Sequence, residues 1–248
     1  ASLLWEEGWK DGRPVDLPVP SLDSKRETAA ILFPHGSMAN SPSQPLVDST
    51  GGKFGPFAGQ MLIGEMNKGR IIRVITEKVG GKIQGACVPF FDGNGLATGN
   101  NRLAFSPDGK TLWVGHSAHG WAGNHGIQKI TWTGRVPPEL STIKLTPKGF
   151  SMNFTVPMDR KSASDPANYA TKVYSYKYHQ AYGSPQIKKE TRQPSKLTVS
   201  GDGKTIRLEY EEMTPRRVYE FNLGSLLTAS GGKLVNSLVV YHAHNLLK

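Results

Sequence analysis

Two successive units with the same β pattern constrain this chain more than any other feature. The first runs from about Ile31 to Phe91 and the second from about Gly99 to Gly134. Each holds an apolar strand that exits through glycine, Gly59-Gln-Met-Leu-Ile-Gly64 and Lys110-Thr-Leu-Trp-Val-Gly115. Each follows it with a strand that reads as apolar on alternate residues, Arg70-Ile-Ile-Arg-Val-Ile75 and Gly126-Ile-Gln-Lys-Ile-Thr-Trp132. Units of this kind read as blades of a β-propeller, which needs about 4–8 of them to close. Two are too few. The pattern therefore predicts that the remaining blades lie on another chain or on a longer precursor.

The clearest stretch is Asn101-Arg-Leu-Ala-Phe-Ser-Pro-Asp-Gly109 and the strand after it. Pro107 fixes its φ and Gly109 accepts positive φ, so the chain reverses there as a hairpin. After Trp132 the fourth strand of a blade is missing and Gly134-Arg-Val-Pro-Pro138 stands in its place. From Leu140 onward, short alternating runs are separated by turn residues: 150–156, 196–200, 205–210, 218–223 and 237–242. That spacing predicts a β-sandwich of about 100 residues. Asp165-Pro-Ala-Asn-Tyr169 predicts a short helical turn capped by Asp165. The expected fold is all-β: an extended linker or strand remnant over 1–30, the last two propeller blades over 31–138, and an immunoglobulin-like sandwich over 139–248.

Composition narrows the functional classes. With 37% hydrophobic and 20% charged residues this is a folded domain and not a disordered one. No run approaches the ~18 apolar residues of a membrane span, and the start lacks a signal-peptide pattern, which points to a mature, processed or truncated chain. The net charge of +10 comes from residues spread along the sequence. Without a nucleic-acid motif it reads as a solvated basic surface. A single cysteine, Cys87, excludes an internal disulfide; its apolar strand predicts a buried, inert thiol. The glycine-rich segment 48–59 feeds a strand and not a helix, which argues against a phosphate cradle. Asp92-Gly-Asn-Gly95 has the start of a calcium loop but Leu103 where its last acidic ligand would stand, so it reads as a plain turn.

Three histidines within ten residues, His116, His119 and His125, fit either a zinc or copper site or a polar loop at a channel mouth. His242 and His244 share one face if the strand reaches them. Tyr174, Tyr176 and Tyr178 share a strand face near His179 and Tyr182. They fit a sugar-stacking surface or, in preference, a sandwich face packed on the propeller. No Gly-x-Ser-x-Gly elbow is present to pin a serine nucleophile.

Several stretches resemble the last blades of large secreted bacterial propellers related to the glucose/sorbosone dehydrogenases. They are Thr50-Gly-Gly-Lys-Phe-Gly-Pro-Phe-Ala-Gly-Gln60, Leu103-Ala-Phe-Ser-Pro-Asp-Gly109 and Gly115-His-Ser-Ala-His-Gly-Trp121. Gly149-Phe-Ser-Met-Asn-Phe-Thr-Val-Pro-Met-Asp159, Asp165-Pro-Ala-Asn-Tyr169 and Tyr182-Gly-Ser-Pro185 resemble the immunoglobulin-like domain appended to them. The resemblance implies a propeller of about six blades whose axis holds pyrroloquinoline quinone (PQQ) with calcium. In that group the quinone takes a hydride from a sugar, and a cytochrome or other acceptor removes the electrons. It also implies a secreted or periplasmic location. The family's catalytic histidine belongs to an early blade, and no position here matches it. Within the resemblance, Arg102, beside Asn101 at the start of an inner strand, fits an anionic cofactor; a structural ion pair is its other reading. His35 stands at the comparable start of the preceding blade. The rival class is a non-catalytic module that contacts polysaccharide or a neighbouring subunit from a propeller scaffold.

Overall fold

A computed structural model describes residues 29–118, 120, 123–176 and 184–247, together with the backbone of 9–10 and 13–14. The chain is all-β. Strands β1 (Trp9–Lys10) and β2 (Arg13–Pro14) form a small antiparallel pair. The rest of the expected 1–30 segment lies outside the described residues up to Ala29.

The first repeat is a four-stranded antiparallel meander of β3 (Pro42–Val47), β4 (Met61–Glu65), β5 (Arg70–Val79) and β6 (Lys82–Asp92). The second is a three-stranded meander of β7 (Asn100–Phe105), β8 (Thr111–His116) and β9 (Gly126–Thr131). Among the described residues no strand follows β9 in that sheet. The first repeat, expected to begin near Ile31, does not open with a strand at the apolar triplet Ile31–Phe33. That triplet packs instead on an apolar cluster at one face of the meander, which includes Ile63, Ile72, Val74 and Cys87. Pro34 accounts for the change: its carbonyl accepts from the Met38 N–H at 2.9 Å and starts a turn. β3 was not foreseen because Pro42 and Pro45 remove two ladder donors; prolines of this kind belong to edge strands, and β3 is an edge.

The second meander lies against the first. Phe54, Leu62, Ile71, Leu103, Leu112 and Val114 form their shared core, with Trp132 packed on it. Backbones touch where β4 meets β7: a Cβ at Gly64 would lie 2.3 Å from the Asn100 carbonyl oxygen. Glycine is required there for the sheets to approach.

Beyond β9 come β10 (Leu140–Thr146), β11 (Gly149–Phe154), a one-turn helix α1 (Arg160–Ala163), a 3-10 turn (Pro166–Tyr169) and β12 (Thr171–Tyr176). The 3-10 turn has the predicted cap, Asp165 accepting from the Ala167 N–H at 2.9 Å. Then follow β13 (Gln186–Arg192), β14 (Lys196–Val199), β15 (Thr205–Glu209), β16 (Arg217–Asn222) and β17 (Leu238–Ala243). One sheet has the order β10-β11-β15-β14. It faces the run β13-β12-β16-β17, and Phe150, Ile206, Leu208, Tyr219, Phe221 and Tyr241 fill the space between. Phe150 is the hub, with the rings of Tyr219, Phe221 and Tyr241 at 5.2, 5.3 and 5.0 Å, all edge-on.

The two halves of the chain share a sheet. β17 pairs antiparallel with β6, so the first meander and half of the sandwich form one eight-stranded sheet across the expected 138/139 division. Ile75, Val79, Ala86 and Val88 of the long β5–β6 hairpin belong to the sandwich core. Gly85 permits the joint. It pairs with Thr76 on one side and His242 on the other, and a Cβ there would sit 2.0 Å from the Ile75 carbonyl oxygen.

Candidate functional site

Antiparallel meanders put alternate loops at one end. Here the turns before β3, between β4 and β5, before β7 and after β8 converge through backbone bonds. Met66 N–H donates to Ser41 O (3.0 Å), Gly99 N–H to Met66 O (2.7 Å), Ser117 N–H to Gly99 O (3.0 Å) and Asn124 N–H to Thr98 O (3.2 Å). This end gathers five of the residues singled out above: His35, Asn101, Arg102, His116 and His125.

Buried polar side chains hold it. The Glu65 carboxylate, fully buried, accepts from the Asn40 and Ser41 N–H groups at 2.9 and 2.8 Å and from the Lys68 N–H. Asn100, also fully buried, donates to the carbonyls of Glu65, Lys68 and Arg70 at 3.0–3.2 Å. Arg70 grips Asp92 through two bonds, 2.8 and 2.5 Å, and caps the Ser37 and Met38 carbonyls. Asp92 is thereby committed to an ion pair, in keeping with the plain-turn reading of 92–95. None of Glu65, Arg70 or Asn100 was foreseen as a site residue. They carry no motif; only folding brings them together.

The expected cofactor residues lie around this scaffold. Arg102 is exposed, and its guanidinium donates to the Asn101 backbone and side-chain oxygens at 3.2 and 2.9 Å. It has no carboxylate partner among the described residues. Asn101 donates to Ser117 Oγ at 2.7 Å. His35 sits exposed in its turn. Arg102 stands opposite Gly115, whose Cβ position is 3.5 Å from Arg102 Cβ. It therefore points to the face of the second meander turned away from the first.

The two described histidines of this loop differ in exposure, although His116 pairs with Gly126, the neighbour of His125. His116 is buried with neither ring nitrogen hydrogen-bonded, His125 is exposed, and His119 lies outside the described residues. Among the described residues no group of three or more His, Cys, Asp or Glu side chains is placed to hold a metal ion. His242 and His244 are both buried with rings 4.5 Å apart, and His244 Nε2 lies 3.1 Å from Ala29 O. Tyr174 is buried and makes an edge-on pair with Tyr176 at 5.5 Å, inside the cluster that includes Ile72 and Cys87. That is packing on the first meander. Tyr178, His179 and Tyr182 lie outside the described residues. Burial raises the Cys87 thiol far above its ordinary range, as the inert reading expects.

A second polar cluster sits where the first meander meets the sandwich. Arg73 is fully buried, with its charged carbon 3.9 Å above the Phe57 ring. It donates to Gln60 Oε1 (2.6 Å), Leu140 O (2.5 Å) and Ser141 O (3.1 Å). Glu139 lies 3.8 Å away and accepts from Asn236 Nδ2 at 2.5 Å. Burial pushes the Glu139 carboxyl up to about 7, because loss of water outweighs the Arg73 charge. The cluster clamps the first meander to the sandwich.

No protein-family model, curated protein or solved structure matches the chain. The functional reading therefore rests on the chain itself. Among the described residues no helix is long and apolar enough to cross a membrane.

Proposed function

We propose that this chain is the closing portion of a larger β-propeller, fused through its outermost blade strand to an immunoglobulin-like sandwich. The observation that carries it is the uncovered face of the second meander. Trp113 is 42% exposed and Ile127 72% exposed, with Ala104 beside them and the edge of β9 unpaired among the described residues. A face of this kind takes another sheet, as the opposite face of the same meander takes the first repeat. The strand order β10-β11-β15-β14 opposite β13-β12-β16-β17 supports the immunoglobulin-like assignment, since it reproduces A-B-E-D opposite C′-C-F-G. Tyr219 adds a tyrosine corner: its hydroxyl accepts from the Thr214 N–H at 2.8 Å and donates to the Thr214 carbonyl at 3.1 Å.

On the dehydrogenase-like reading, Arg102 and Asn101 would bind a carboxylate of a PQQ-type cofactor in a pocket completed by the covering blades, with His35 at the neighbouring loop. The open guanidinium of Arg102 fits such an anion. The quinone, when bound, supplies hydride acceptance from a sugar. The described residues provide no calcium cage, so calcium would draw its ligands from the missing blades. The partners of this reading are those blades and a cytochrome-type acceptor, in a secreted or periplasmic setting.

The scaffold alternative has its own support. Glu65, Arg70 and Asn100 each hold backbone groups at the loop end, as a rigid assembly module requires.

The mass of the native particle, together with its absorption spectrum, tests both. A second polypeptide or longer precursor with quinone absorbance is expected for the dehydrogenase-like propeller. The same assembly without a chromophore would favour the scaffold. A soluble, cooperative monomer of this chain alone would overturn the propeller reading, which expects it to aggregate through its open face and edge.

A further inference from the structure

The basic excess is concentrated in the sandwich, where residues 139–248 carry 16 Lys or Arg against 9 Asp or Glu. Its four-stranded sheet turns one face inward through Ile143, Leu145, Phe150, Met152, Ile206 and Leu208. Strand alternation sends the intervening residues outward. The register places them in rows: Thr142, Asn153 and Thr205 in one, Lys144, Ser151, Arg207 and Thr198 in the next.

The first row is a hydrogen-bonded relay across three strands. Thr205 Oγ1 donates to Asn153 Oδ1 at 2.7 Å, and Asn153 Nδ2 donates to Thr142 Oγ1 at 3.0 Å. Thr142 Oγ1 already accepts, so its own O–H is left to donate, as is the second Asn153 N–H. The relay thus presents donors at its β10 end. Lys144, in the next row on the same strand, and Arg207 both are exposed, and neither has an ion-pair partner among the described residues. Two strand spacings separate them, about 10 Å.

Fixed outward donors, two open cations and a flat surface suit an acceptor-rich, negatively charged chain. No aromatic side chain stands in either row, so the face lacks the stacking platform of a single-stranded nucleic-acid site. Its hydroxyl and amide groups match the ring hydroxyls of a sugar. We infer that the outer face of the β10-β11-β15-β14 sheet binds an anionic polysaccharide, with Lys144 and Arg207 on its acidic groups and Thr142 and Asn153 on adjacent oxygens. The inference is independent of the propeller reading, and it moves carbohydrate contact from the tyrosine stretch, whose Tyr174 is buried, to the opposite sheet.

The test is titration of the whole chain, in whatever assembly it forms, with heparin, polygalacturonate, uncharged dextran and single-stranded DNA of matched charge at fixed low salt. Binding to one of the two acidic polysaccharides is expected, with dextran inert. Replacing both cations, Lys144→Ala with Arg207→Ala, is expected to weaken it at least about tenfold, and Thr142→Val several-fold. All these groups are exposed or half-buried, so a circular-dichroism melt confirms that the variants fold. A charge control, Lys188→Ala with Lys189→Ala on the edge strand β13, is expected to leave the affinity unchanged. An equal loss in that control would overturn the inference, since binding would then follow net charge alone. So would DNA that competes as well as the polysaccharide, or no binding to either acidic polymer.

Discussion

The two meanders begin from the same sequence pattern and end in different states. In the first, strand β5 is buried on both faces from Arg70 to Ile75. Ile71 meets the second meander, Ile72 and Val74 meet the 31–39 segment, and the outer strand β6 is taken up by β17. In the second, β8 alternates: Leu112 and Val114 are buried while Trp113 is exposed. Its last strand has no neighbour beyond it among the described residues. The difference lies in what each sheet touches rather than in strand quality. A blade-like sheet is finished by its surroundings, and only the first has them within the described residues.

That contrast can be broken by substitution. Ile72→Ala in β5 is expected to cost about 2–5 kcal/mol, the usual range for truncating a fully buried aliphatic side chain. Urea denaturation of the native particle would measure it. If Ile127→Ala on the open face costs as much there, that face of the second meander is covered in the particle. Gly85→Ala attacks the joint between β6 and β17 and is expected to cost more than about 1 kcal/mol, because the added methyl meets backbone and not a yielding side chain. A smaller loss would mean that the eight-stranded sheet is not continuous there.

The clamp at the meander–sandwich seam gives a pH signature. The Glu139 carboxyl rises from 4.5 to about 7 on folding, so the folded chain binds a proton more tightly than the unfolded one. The resulting stability is complete below about pH 4.5 and is lost as pH rises through about 7. Denaturation midpoints at pH 5, 6, 7 and 8 should therefore fall, and Glu139→Gln should flatten the slope. An unchanged slope in that variant would assign the effect to other groups. Tyr219→Phe, which removes the tyrosine corner, is expected to cost about 0.5–1.5 kcal/mol. The smallest effect on the chain's own packing belongs to Trp113→Ala, about 0.5 kcal/mol or less, because the side chain is 42% exposed. In the native particle the same change should release the covering partner, which analytical ultracentrifugation would detect.

Strand alternation, glycine exits and proline turns determined the all-β class, the β4–β6 part of the first meander, the second meander, the capped turn at Asp165 and the burial of Cys87. These are local properties, set by the period of a strand and the φ values that glycine and proline allow. The sequence was blind where local pattern was absent. β13 is Gln-Ile-Lys-Lys-Glu-Thr-Arg, an edge with no buried face to leave an apolar trace. The Glu65–Asn100–Arg70 scaffold, the Arg73–Glu139 clamp and the Thr142–Asn153–Thr205 relay join residues far apart in the chain. Arg102 and Asn101 were legible as a polar pair, but whether Arg102 met a carboxylate was not. Tertiary structure alone decided these points, because a buried charge or amide takes its partner from whatever backbone and side chains the packed sheets bring within about 3 Å.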